Sequence, residues 1–164
     1  MPDTGYILDD QIIENNWVTL PEGFSGDLPE GKKLVPFSYW QSHPELAVDD
    51  NTGLWLTPDA DVESLGDSAQ QFPVIAIQFP TFMDGRGFSL GSILRSRYGF
   101  EGELRAIGNV IRDQLFFLKR CGFNAFELRE GTELDKAVAS LKDFDEVYQS
   151  SIDVQSPLFK RHSL

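Results

Sequence analysis

The chain has one cysteine, Cys121, and two histidines, His43 and His162. A lone cysteine excludes an internal disulfide framework and any cysteine-built zinc or iron–sulfur site. Two histidines in separate stretches build no His-rich site, so no metal is expected. No clean apolar run exceeds four residues, as in Val74 to Ile77 and Leu115 to Leu118, far short of a membrane span. The opening MPDTGYILDD is acidic and lacks the basic-then-apolar order of a secretory signal, so a cytoplasmic protein is expected. Bases are scarce: 14 Lys+Arg stand against 26 Asp+Glu, a net charge of −12. That deficit excludes a general nucleic-acid binder, which needs a basic surface for phosphates. What is present suits one domain with a real core: 164 residues, 41% hydrophobic and 12% aromatic.

The charge is uneven. Residues 1–84 hold 15 acids and only Lys32 and Lys33 as strong bases. Residues 85–164 hold 11 acids and 12 bases. Within 84–129 seven of the eight bases are arginine, which grips planar oxyanions bidentately and stays charged when partly buried. Either these arginines pair with the acidic half, or they form an anion site.

Three parts are expected. Residues 1–50 read as a β-rich extension, with strands over Tyr6–Leu8, Gln11–Leu20 and Lys33–Tyr39 and a Pro/Gly-punctuated connection over 21–31. The acidic DDNTG (49–53) marks the boundary of an α/β domain over 51–150, and 151–164 is a polar tail. In the domain, strands over 53–56, 74–79, 103–107 and 125–128 alternate with helices. The helices are expected from Thr57-Pro58-Asp59, from Ser89 to Tyr98, from Asn109 to Cys121 and from Thr132 to Leu141, and Val147-Tyr148 reads as a last strand. Such alternation predicts right-handed crossovers and a mostly parallel sheet. An open three-layer sheet and a partial β/α barrel both fit.

Several polar residues fall on apolar faces. Gln114 lands mid-stripe on the expected 109–121 helix, and an unpaired buried amide costs about 1–3 kcal/mol. Arg97 lands among the apolar residues of the 89–98 helix and is expected to snorkel, while Arg95 points away. Glu103 and Arg105 share one strand face. Gln78, Arg105 and Glu127 would make a polar row across neighbouring strands, either as an interior Arg–Glu pair or as a ligand site. Cys121 reads as an inert core cysteine.

Ligands of parallel α/β folds bind outside the carboxyl ends of the strands. Three loops are expected there: 80–89, 108–114 and 129–132. They bring Asp84, Arg86, Ser89, Asn109, Arg112, Asp113 and Arg129 to one end, and with Arg105, Gln114 and Glu127 these are the candidate anion- or ligand-binding residues. A small oxyanion or a phosphorylated ligand fits such a set. DGRG (84–87) is neither a P-loop nor a dinucleotide fingerprint. No catalytic constellation and no cofactor follow from these residues.

The stretch FPTFMDGRGFSLGSILRSRYGFEGELRAIGNVIRDQLFFLKRCGFNAFEL (79–128) resembles the bacterial family known as domain of unknown function 934. The resemblance rests on DGRG, the Arg95 and Arg97 pair, GELRAIG, RDQL and RCGF, and extends more loosely over 53–149. Asn109 and Asn124 stand where many members are expected to carry aspartate. Genes of that family lie beside those for assimilatory sulfite reductase and the reduction of activated sulfate, and its members carry an oxidoreductase label tied to sulfite reduction. The resemblance therefore implies a role in sulfur assimilation, with three readings. In the first, an accessory protein binds sulfite reductase, an electron donor or an oxyanion. In the second, an oxidoreductase uses an external flavin or nicotinamide cofactor. In the third, the arginines are purely structural. No nucleic-acid or membrane partner is expected.

Overall fold

A computed structural model describes residues 5–81 and 83–151. Eight strands form one sheet: β1 Gly5–Leu8, β2 Gln11–Glu14, β3 Val18–Thr19, β4 Lys33–Pro36, β5 Thr52–Leu56, β6 Val74–Phe79, β7 Glu103–Gly108 and β8 Ala125–Phe126. Five α-helices accompany them: α1 Phe37–Ser42, α2 Val62–Leu65, α3 Arg86–Ser96, α4 Leu115–Arg120 and α5 Leu134–Ser151. The spatial order is β2-β1-β8-β7-β6-β5-β4-β3. Strands β3 to β8 are parallel neighbours in chain order, and β1 runs antiparallel to both β8 and β2.

Right-handed crossovers that always step to the next strand put every helix on the same face. This excludes the three-layer alternative and makes the sheet curl. The degree of curl follows from the connectivity of its edges. Strand β2 ends at Glu14 and β3 starts at Val18, so only residues 15–17 join the two edges of the sheet. A flat eight-stranded sheet is about 34 Å across, whereas four residues of extended chain reach about 14 Å. The sheet therefore bends round into a barrel-like shape, with segment 11–19 at the seam.

The two faces differ. The outer face carries Ile7, Leu54, Leu56, Ile75, Ile77, Phe79, Leu104, Ala106 and Phe126, packed under the helices in the main core. The inner face carries Leu34, Trp55, Val74, Ala76 and Ile107, with Trp17 packed against them. The Trp55 Nε1–H donates to the Leu20 carbonyl at 2.7 Å, which anchors the seam to the wall. Gly53 makes room for this filling. A Cβ there would sit 2.6 Å from Leu34 Cδ2, 3.1 Å from the Val74 carbonyl oxygen and 3.3 Å from the Trp17 ring. Gly53→Ala is expected to destabilise the fold by about 1–3 kcal/mol, read by urea denaturation.

Several element boundaries differ from expectation, each because of a through-space partner. Helix α3 begins at Arg86 rather than Ser89, because Asp84 Oδ1 accepts the Arg86 backbone N–H at 3.1 Å and turns the chain early. The expected 109–121 helix is shorter. The Asn109 backbone N–H bonds the Phe79 carbonyl at 2.7 Å and its side chain bonds the Pro80 carbonyl at 2.7 Å, so helical structure starts only with a 3-10 turn over Arg112–Gln114 and then α4. Gln114 is consequently not in the middle of a core stripe. It sits at the start of α4, where its Oε1 accepts the Ile111 backbone N–H at 3.3 Å. Helix α2 starts after Asp61, whose carboxylate accepts the Glu63 N–H at 3.2 Å, and not at Thr57-Pro58-Asp59. Strand β4 stops at Pro36, and Phe37 to Ser42 are helical. Val147 and Tyr148 belong to α5 rather than to a strand, since both sheet edges are held by the N-terminal segment. The tail from residue 152 on lies outside the described residues.

Candidate functional site

The inner wall holds a polar cluster centred on Arg105. Its side chain is fully buried in the middle of β7. Arg105 Nε donates to Glu103 Oε2 at 2.7 Å, and Nη1 donates to Glu127 Oε2 at 3.1 Å. Nη2 also lies 2.7 Å from Glu103 Oε2, but off the axis a hydrogen bond requires, so this contact is an ion pair without a hydrogen bond. The guanidinium carbon stacks 3.9 Å from the centroid of the Tyr6 ring. Asn15 Oδ1, from the seam, is 3.5 Å from Nη1.

Parallel register explains the arrangement. Glu103 and Arg105 share a face because they are two residues apart on β7. Arg105 pairs with Ala125, so Glu127, two residues further on, falls on the same wall. Gln78 lies in the same layer as Glu127, one above Arg105, but Ile107 stands between the two on β7, so Gln78 does not join the cluster. Burial raises the Glu103 carboxyl above its ordinary value even against the opposing pull of Arg105. Burial also raises the Tyr6 hydroxyl, with the Glu103 charge adding to the shift. One guanidinium thus faces two carboxylates, and Arg105 has no charge left over for an anion.

The rim at the carboxyl ends of the strands is a second, separate group. Its three loops are laced together: Asn109 ties loop 108–114 to the Phe79 and Pro80 carbonyls, and the Arg129 N–H bonds the Val110 carbonyl at 2.9 Å. Asp84 and Arg86 spend their charges on each other, with Nε to Oδ1 at 3.0 Å and Nη2 to Oδ2 at 2.7 Å. The bidentate contact with Arg86 holds the Asp84 carboxyl below the usual range. Ser89 is exposed in the first turn of α3, and Asp113 is exposed in the 3-10 turn. Arg112 and Arg129 are exposed, and among the described residues their side chains make no ion pair or hydrogen bond. Of the predicted residues, Arg105 and Glu127 belong to a self-compensated interior, Asp84 and Arg86 pair with each other, and Arg112 and Arg129 stand exposed on adjoining loops, with Glu133 close enough to feel the Arg112 charge.

Arg95 is placed differently from expectation. It turns inward with 8% exposure and ties the amino end of the barrel together. Its Nε donates to the Gly122 carbonyl at 2.8 Å, its Nη1 to Phe100 and Gly102 at 2.7 and 2.9 Å, and its Nη2 to Asn124 Oδ1 at 3.2 Å. Burial lowers its pKa to about 10. Arg97 carries its head to the surface, as snorkelling requires, and pairs with Glu63 at 3.0 Å. Cys121 is partly buried, and burial raises its thiol, as suits an unreactive cysteine. Tyr6, Asn15 and Trp17 complete the interior. For Asn15 and Trp17 the sequence signal is the alternation of Ile13, Asn15 and Trp17 along 11–19.

Among the described residues no group of three or more His, Cys, Asp or Glu is placed to hold a metal ion. No helix among them is long and apolar enough to cross a membrane.

A curled, mostly parallel α/β sheet with helices on its outer face, an ion-paired interior and an arginine-bearing rim defines the class: a small β/α half-barrel protein. Within that class the chain belongs to the family described as bacterial protein of unknown function, DUF934, whose model matches residues 53–159. Comparison with curated proteins gives no match, and neither does comparison with solved structures.

Proposed function

We propose that this protein is a cytoplasmic accessory protein of assimilatory sulfate and sulfite reduction that binds an oxyanion at Arg112 and Arg129. The observation that carries the binding site is the pair of exposed guanidiniums, without an ion pair or hydrogen bond among the described residues, on two laced loops at the carboxyl ends of β7 and β8. Parallel α/β barrels use this end for ligands, and guanidinium matches the geometry of a tetrahedral or pyramidal oxyanion. The buried Arg105 is set aside because Glu103 and Glu127 already neutralise it. The sulfur role is what the resemblance set out above implies. A carboxylate presented by sulfite reductase or its electron donor would meet the same two arginines.

The test combines binding and growth. Sulfite, sulfate and phosphate are titrated separately by calorimetry into the native protein and into Arg112→Ala/Arg129→Ala. The double variant should bind the preferred anion roughly tenfold or more weakly, since a hydrogen bond to a charged group contributes about 1.5–3 kcal/mol. It should melt like the native chain, because both side chains are exposed, and should fail to support growth on sulfate as the sole sulfur source. A folded double variant with undiminished anion binding and normal growth would refute the proposal.

A further inference from the structure

The barrel interior is packed in its lower layers and open at its last one. Leu34 and Ala76 are fully buried on the inner wall. Above them one row crosses three neighbouring strands: Gln78 on β6, Ile107 on β7 and Glu127, one residue past β8. All three face inward, because Ile77, Phe79, Ala106 and Phe126, their neighbours in sequence, lie in the helix-covered core. Ile107 is buried, whereas Gln78 and Glu127 are half-buried, so solvent reaches the row from the carboxyl ends of the strands. The fold leaves part of this row's hydrogen-bonding capacity unused. Among the described residues the Gln78 amide makes no hydrogen bond, and Glu127 gives Oε2 to Arg105 while Oε1 has no partner. The charge is unbalanced as well. Glu103 and Glu127 share the single guanidinium of Arg105, so the cluster beneath the row carries one carboxylate more than it has cations.

We infer that this row is a binding site for a small aliphatic amine, whose ammonium Glu127 receives and whose far end Gln78 holds. The chemistry of the row selects that class. An ionised carboxylate oxygen only accepts, so its partner must donate. The excess negative charge favours a cationic donor over a neutral one and repels an anion. The spacing sets the shape. Gln78 and Glu127 stand two strands apart, about 9–10 Å between their backbones. Ile107 lies between them as an apolar floor for a short methylene chain. At the other end the Gln78 amide both donates and accepts, so it suits an amide, a hydroxyl or a second amine. Parallel strands buried on both faces are ordinarily apolar, and a glutamine here that bonds nothing in the fold is accounted for by a ligand. The site uses neither Arg112 nor Arg129 and is independent of the anion site on the rim.

Calorimetric titration of the full chain with δ-aminovaleramide, and with valeramide as the probe that lacks the amine, tests this. The native protein should bind the amine roughly tenfold or more tightly than valeramide, because only the amine makes a charge-assisted bond. Glu127→Gln should remove most of that preference, since its amide oxygen still accepts from Arg105 but carries no charge. Gln78→Leu should weaken both probes roughly threefold or more. It breaks no hydrogen bond of the fold, so it should melt like the native chain and gives a reading even where Glu127→Gln unfolds. Arg112→Ala/Arg129→Ala should bind the amine as the native chain does, so a failure of the rim site leaves this result unchanged. Three results overturn the inference: no binding of the amine by the native chain, equal binding of the two probes, or an amine affinity that neither Glu127→Gln nor Gln78→Leu lowers.

Discussion

Arg105→Leu is expected to destabilise the protein by about 3–5 kcal/mol, because removing one partner of a buried ion pair strands the others. Two carboxylates, Glu103 and Glu127, lose their shared cation, and the Tyr6 ring loses the guanidinium stacked at 3.9 Å. Most of the loss is the cost of leaving charge buried, so it should depend on pH. Burial already holds the folded-state pKa of Glu103 above its ordinary value of 4.5. A carboxyl raised in the folded state contributes stability below the unfolded value, and that contribution is lost as pH rises through the folded value. Without Arg105 the carboxyl is raised further. The variant's deficit should therefore be small near pH 4.5 and widen towards neutrality, as measured by urea unfolding at several pH values. Adding Glu103→Gln and Glu127→Gln to Arg105→Leu should recover part of the loss. A deficit independent of pH, with no recovery in the triple variant, would show that Arg105 acts through packing alone.

Arg95→Met should be nearly as damaging, at about 3–5 kcal/mol, although the side chain has no catalytic or ligand-binding character. One guanidinium satisfies the carbonyls of Phe100, Gly102 and Gly122 and the amide of Asn124. These groups lie in the turns that lead into β7 and β8, so Arg95 fixes how helix α3 meets both strands. Methionine fills part of the volume but leaves the acceptors without a donor. Arg95→Lys should lose about 2 kcal/mol, because one ammonium cannot span acceptors arranged around a planar fork. Two residues along, Arg97→Ala should change stability by no more than about 0.5 kcal/mol, since its pair with Glu63 is solvent-exposed. Thermal and urea denaturation of the three variants checks the order. If Arg95→Met and Arg97→Ala lose the same small amount, the carbonyl network does not bear on stability.

The contrast between these two arginines marks where sequence reading stopped. Helical periodicity put Arg97 on the apolar face, to snorkel outward, and Arg95 away from it; Arg97 does carry its head to the surface, but Arg95 turns inward. The reason is that α3 packs with Gly87 and Gly91 against the rings of Phe79 and Phe123, a close approach that turns Arg95 inward. The Glu103–Arg105 pair was legible because a strand's period of two is local. Its third member, Glu127, was found among the polar strand residues in one row with Gln78, but Ile107 stands between those two, and Arg105 reaches Glu127 from the layer below.

By itself the sequence determined the alternation of strands and helices, the parallel sense of the central sheet, and which loops meet at its carboxyl end. All of these follow from residues a few positions apart along the chain. Only the tertiary structure decided that segment 11–19 joins the two edges, that Tyr6 and Trp17 fill the interior, and that Arg105 is neutralised while Arg112 and Arg129 are not. A charge is spent or free according to partners brought close through space: Glu127 lies 22 residues from Arg105 and Asn15 lies 90. No pattern confined to neighbours in the chain reports that distance.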